Sequence, residues 1–193
     1  MRCASHERTT RETAVRVKLD LDERGPSMIV TGSAMFDHLL EAFALHARIA
    51  LEIQAQAKDS IQHHVVEDVA IVLGKTIAIA LGERTGIARY GEASIPMDEA
   101  LVRCVLDLAG RSYARIALPL RRERIEDLAS DLIPHFFSSL ASNAGITLHL
   151  DALAGENDHH VVEAAFKAFA RAARVAWTCS LDALAIPSTK GML

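Results

Sequence analysis

The pentapeptide His63-His64-Val65-Val66-Glu67 recurs unchanged as His159-His160-Val161-Val162-Glu163, half a chain later. An identical stretch in each half reads as internal duplication, so the fold is expected to be two copies of one supersecondary unit. In both copies, helical apolar spacing follows the motif, to Leu81 before Gly82 in the first and through "VVEAAFKAFARAARVAWTC" in the second. The motif therefore opens a long helix in each half.

Working outward from the first copy, "ETAVRVKLDLDE" alternates apolar and polar residues from Ala14 to Leu21 and stops at Gly25-Pro26. That pattern predicts a strand entering a hairpin, with "SMIVTGS" as the returning strand. From Met35 to Ala47 the period becomes helical, with Phe36, Leu39, Leu40, Phe43 and Ala47 on one side, and "RIALEIQAQ" alternates again as a strand. The second half repeats this order: strands broken at Gly110, a helix over "LIPHFFSSLASNAG" ending at Gly145, the strand "ITLHLDAL", and the motif helix. Sliding one half onto the other sets His38 over His135, "IALEI" over "ITLHL", and HHVVE over HHVVE. The expected class is α+β, with internally duplicated half-domains over about residues 8–92 and 93–185 and strands curled around helices. The tail 186–193, "IPSTKGML", reads as a loop.

Composition narrows the function classes. Half of the 193 residues are apolar and the net charge is −4, which suits one globular domain and gives no electrostatic footprint for nucleic acid. Cys3, Cys104 and Cys179 are odd in number and lack metal spacing, so a reducing compartment is expected. With no signal-peptide core near the start and no run long enough to span a bilayer, the expectation is a soluble cytoplasmic protein.

The chemistry lies in the repeated motif. On a helix, residues i and i+4 share a face, so His63 and Glu67, or His159 and Glu163, can grip one ion together. The second histidine, His64 or His160, projects about 100° away, which favours two ions, or one ion and a substrate. Crossing the motifs gives each ion two histidines and a glutamate, and His38 and His149 are candidates for one further imidazole each. Such a donor set suits Mn, Fe, Co or Zn. On the residues alone, a dinuclear metallohydrolase acting on a phosphorylated small molecule and a purely structural metal staple remain open.

The segments "ERTTRETAV", "FDHLL", "HHVVEDVAIVLG", "GIARYGEASIPMDEAL", "DLAGRSY", "NAGITLHL", "NDHHVVEAAFKAFARA" and "PSTKG" together resemble the imidazoleglycerol-phosphate dehydratase family over nearly the whole chain. The resemblance implies a ribosomal protein S5 domain 2-like fold with helices packed between two four-stranded sheets. It also implies trimers assembled into a homo-oligomer of twenty-four copies, two Mn²⁺ per active site, and sites lying between subunits. The metal ligands it implies are His38, His63, His64, Glu67, His149, His159, His160 and Glu163. The preferred partition is His38, His64, His159 and Glu163 on one ion and His63, Glu67, His149 and His160 on the other. His135 is left out of that set.

Substrate contacts implied by the resemblance fall on Glu12, His46, Arg89, Arg111, Lys167, Ser188, Thr189 and Lys190, with Glu12 and His46 as catalytic candidates. The tail would close as a clamp over a phosphate. The implied reaction removes water from D-erythro-imidazoleglycerol phosphate to give imidazoleacetol phosphate in histidine biosynthesis, through a metal-bound imidazolate and a diazafulvene. Asp98 or Glu99 could assist the leaving hydroxyl. The chain departs from the family pattern at Gln62, where an acidic residue commonly precedes the paired histidines, and at Glu41-Ala42.

Overall fold

The computed structural model describes residues 2–179 and Ser188; the contacts expected of Thr189 and Lys190 lie outside the described residues. Strand β2 (Thr13–Asp20) follows the alternation read from the sequence, burying Val15, Val17 and Leu19 while Arg16 and Lys18 face outward. It is preceded by β1 (Cys3–Thr9), which the sequence pattern does not reveal because Ala4 is its one buried residue. Such a polar edge strand carries no apolar period to read.

The hairpin expected at Gly25-Pro26 does not form. β2 pairs with β1 on one side and with β4 (Ala50–Ala57) on the other, so no edge is left for β3 (Ser27–Val30), which runs parallel to β4 instead. The turn residues open a crossover to the far edge, giving the order β1-β2-β4-β3. The second half builds the same sheet from β5 (Tyr90–Met97), β6 (Ala100–Asp107), β10 (Thr147–Ala154) and β7 (Tyr113–Ala117), in the order β5-β6-β10-β7 with β7 parallel to β10. One excursion has no counterpart in the first half: the small hairpin of β8 (Arg124–Ile125) and β9 (Leu128–Ala129).

Four helices fill the space between the sheets: α1 (Ala34–Ala47), α2 (Gln62–Leu81), α3 (Leu132–Ala144) and α4 (Asp158–Ala176). α2 lies on β1, β2 and β4, while α4 lies on β5, β6 and β10. The helices pair across the halves, α1 with α4 and α2 with α3. Phe36, Phe43, Phe136, Phe137, Phe166 and Phe169 are fully buried at these seams, with Phe43 stacked on Phe169 at 5.4 Å and Phe136 on Phe166 at 5.3 Å. Each such ring contributes about 1.5–3 kcal/mol through removal of apolar area from water. Gly74 lets α2 approach α3, since a Cβ there would sit 2.7 Å from the Leu140 carbonyl oxygen. None of the helices among the described residues is long and apolar enough to cross a membrane.

Candidate metal centre

Cross-pairing of the helices brings residues of both halves together. At the α1–α4 seam, Nε2 of His38 and Nε2 of His159 each lie 3.3 Å from Oε2 of Glu163. At the α2–α3 seam, Nε2 of His63 lies 3.8 Å from Glu67 Oε2 and Nε2 of His135 lies 3.6 Å from Glu67 Oε1. In each group the candidate ligand atoms are all within 4.8 Å of one another. The two groups are related by the repeat: His38 corresponds to His135, His63 to His159, and Glu67 to Glu163.

Local structure fixes where these side chains start. α1 is capped by Ser33, which accepts from the Phe36 N–H, and the Asp127 carboxylate accepts from the N–H groups of Ala34 and Met35. His38 is thereby held in the opening turns of α1. Asn157 caps α4 by accepting from the His159 N–H at 3.0 Å, which places both histidines of the second motif in the first turn. Gln62, the departure before the first motif, donates to the Asp127 carbonyl at 2.8 Å and accepts from the Ala129 N–H at 3.1 Å. A carboxylate there could only accept. Its repeat partner, buried Asp158, accepts from the N–H groups of Arg121 and Arg122, so the second-half excursion is tied to the starts of both motif helices.

The donor sets fit a divalent transition metal: two imidazoles and a carboxylate converge, and Nε2 of His135 is a buried nitrogen with no hydrogen-bond partner among the described residues. Glu163 is held ionised. Burial opposes this, but hydrogen bonds from Lys167 and His38 outweigh it and move its pKa below the ordinary value. Lys167 Nζ lies 2.6 Å from Glu163 Oε1.

Of the expected metal ligands, His149 is not brought to either group within the chain. Strand alternation turns Leu148 and Leu150 inward to the core and leaves His149 on the opposite face, 5.5 Å from the Tyr113 ring. His135 occupies the corresponding place beside His63 and Glu67. The signal for it was present in the sequence, as the overlay of His135 on His38. His64 and His160 point away from the groups on their own helices, as the helical spacing requires. Nδ1 of His64 meets Asp59 and Nδ1 of His160 meets Glu99, each at 2.8 Å.

Two open clefts flank Glu163. One, of about 500 Å³, is lined by Ser27, His38, Glu41, His46 and Lys167 among others, and the second, of about 960 Å³, by Met35, Glu126 and His159 among others. His46 is shifted toward the neutral form by burial and by the nearby charges of Lys167 and Arg171. Glu12 stands at the turn between β1 and β2, its carboxylate 3.8 Å from Nε2 of His64. Arg89 is engaged with Asp107, Nε to Oδ1 at 2.8 Å, and Arg111 is exposed between β6 and β7. Ser188 is half-buried.

The model of the family "Imidazoleglycerol-phosphate dehydratase" matches residues 31–173. This chain belongs to that family. A curated member from Chlorobium chlorochromatii is 48% identical over 193 residues, covering 100% of this chain and 97% of its own length. One from Metallosphaera sedula is 49% identical over 187 residues, covering 96% of each. The crystal structure of the dehydratase from Staphylococcus aureus superposes with a TM-score of 0.84 at 36% identity, covering 92% of this chain and 99% of that one. That of the Pyrococcus furiosus enzyme gives 0.85 at 36% identity, covering 97% and 100%. The duplicated α+β architecture is thus the dehydratase fold, and the chain is an enzyme of the hydro-lyase class.

Proposed function

We propose that the chain dehydrates D-erythro-imidazoleglycerol phosphate to imidazoleacetol phosphate in histidine biosynthesis, and that it does so with two Mn²⁺ per active site. The observation that carries the metal-dependent reading is the pair of His-His-Glu groups at the helix seams, the one with His38 and Glu163 beside a cleft that holds His46 and Lys167. His38, His159 and Glu163 would hold one ion and His63, Glu67 and His135 the other, with His64 and His160 completing ions held by a neighbouring copy. When bound, the ions supply Lewis acidity to the ring nitrogens of the substrate, making its N–H more acidic.

The chain's own residues perform the rest. Glu12, a carboxylate beside His64, takes the carbon-bound proton. His46, kept largely neutral by burial and nearby cations, can accept or relay a proton near the leaving hydroxyl. Lys167 supplies positive charge at the cleft, and Arg89, Arg111, Ser188, Thr189 and Lys190 are the proposed phosphate contacts. Met28 and Val30 stand exposed on the outer face of the first sheet and Tyr113 on the second, which supports assembly of copies into trimers and a larger homo-oligomer.

The test is the rate of imidazoleacetol phosphate formation with Mn²⁺, before and after chelation, for wild type and His64→Ala. Product that requires metal and vanishes in the variant is expected. No product from metal-replete, assembled protein would refute the reading.

A further inference from the structure

The second histidine of each motif carries a carboxylate on the nitrogen that faces away from Glu12 or Asp98. Nδ1 of His64 lies 2.8 Å from Asp59 Oδ2, and Nδ1 of His160 lies 2.8 Å from Glu99 Oε2. Ionised carboxylates only accept hydrogen bonds, so in the neutral form of both rings, the form that can ligate a metal, the proton sits on Nδ1 and the lone pair on Nε2. The two carboxylates are themselves anchored. Asp59 accepts from the Ile61 N–H at 3.0 Å, and Glu99 accepts from the N–H groups of Glu156 and Asn157 at 3.1 and 2.8 Å.

Their origins differ. Asp59 precedes α2 in the same half-domain loop, and its repeat position is Gly155, whereas Glu99 reaches across from the turn between β5 and β6. Two unrelated positions therefore supply the same group to equivalent nitrogens at the same distance, which duplication alone does not produce. Both oxygens of Glu99 are engaged, one by the N–H groups of Glu156 and Asn157 and the other by His160, an arrangement that suits orientation.

We propose that Asp59 and Glu99 are positioning residues for metal binding: each holds the Nδ1–H of His64 or His160 and so turns Nε2 outward as a ligand to a divalent transition-metal ion. The proposal rests on the metal-dependent reading above. Carboxylates placed behind ligating histidines fix tautomer and ring direction and raise ligand basicity, and their loss typically costs about 10–100-fold in metal affinity.

The experiment is Mn²⁺ titration of metal-stripped, reconstituted protein by calorimetry, for wild type, Asp59→Asn, Asp59→Ala, Glu99→Gln and Glu99→Ala, with thermal unfolding of each metal-free protein. Affinity should fall about 10–100-fold in the amide variants, whose single oxygen stays on the backbone N–H groups and whose NH2 cannot accept the Nδ1–H, and by a similar factor in the alanine variants. Metal-free unfolding of Asp59→Asn and Glu99→Gln at pH 8, where the imidazoles carry little charge, should match wild type, because the amide oxygen can still brace the backbone N–H groups. Affinities within twofold of wild type in all four variants would overturn the proposal, as would loss of metal-free stability with affinity unchanged, which would leave the carboxylates as loop braces. Absence of Mn²⁺ binding by wild type would instead refute the metal-dependent reading itself.

Discussion

The two His-His-Glu groups share a pentapeptide and a geometry, but their glutamates live in different surroundings. Glu163 has a side chain 10% exposed and an ion pair with Lys167 one turn along α4. Glu67 is 40% exposed, and the position one turn along α2 is Ile71. Duplication preserved the donors, while the neighbouring turn was free to diverge. The Glu163 group therefore faces a cleft with a cation already on its carboxylate, whereas the Glu67 group would bind an ion without a lysine one turn along its helix. The lesson is that equal ligand sets need not be equal sites, because the charge one helical turn away enters the same electrostatic balance.

The largest test of this comparison concerns the third donor of the Glu67 group. His135→Ala should weaken binding at that group by more than about 100-fold, exceeding the range for groups that merely support a ligand. His149→Ala should leave metal stoichiometry and affinity near wild type, since its side chain sits on the opposite face of the sheet from the core. Calorimetric titration of both variants with Mn²⁺ separates them, and the reverse pattern would return His149 to the ligand set.

A smaller effect should come from exchanging the divergent turn. Lys167→Met removes a charged hydrogen bond and should raise KM for the phosphorylated substrate by about tenfold, the equivalent of a contribution near 1.4 kcal/mol. Metal affinity at the Glu163 group should then rise, because its carboxylate is released. Ile71→Lys makes the opposite change and should lower affinity at the Glu67 group by a few-fold. Steady-state kinetics and metal titration read both, and unchanged affinities would mean the turn does not differentiate the sites.

The smallest effect is the pH response of the metal-free protein. The pKa values of His64 and His160 are raised from 6.5 by Asp59 and Glu99 respectively. Raised values mean the folded state holds these protons more tightly, so their stabilisation is present below pH 6.5 and fades as pH rises through the folded values. His46, lowered by burial and cations, acts in the opposite direction, so two groups oppose one. Thermal midpoints should decline from pH 6 to 8 without metal and climb over the same window with Mn²⁺, because the ion needs the deprotonated Nε2. Parallel slopes in the two series would contradict this.

Much of the fold was legible because apolar periods are local: the α1 and α3 boundaries, the existence of α4, the alternation of β2 and the ends at Gly82 and Gly145 follow from residues a few places apart, while α4 stops at Ala176, short of the Cys179 its apolar period suggested. β1 was not legible, having one buried side chain, and the turn at Gly25-Pro26 misled because turn chemistry specifies a change of direction and not a partner strand. At the site, the i, i+4 pairing of His63 with Glu67 and of His159 with Glu163 could be read directly, as could the outward turn of His64 and His160.

The sequence by itself determined that the chain is duplicated, that each copy presents a His-Glu grip at a helix start, and that adjacent histidines must serve different directions. Only the tertiary structure decided that His38 meets the second motif and His135 the first, and that Asp59 and Glu99 stand behind the remaining imidazoles. The physical reason is reach. Helical spacing fixes which side chains share a face within a turn or two, whereas the choice of partner across a seam depends on how α1 packs on α4 and α2 on α3, and that is settled by the burial of the phenylalanine-rich core between the sheets.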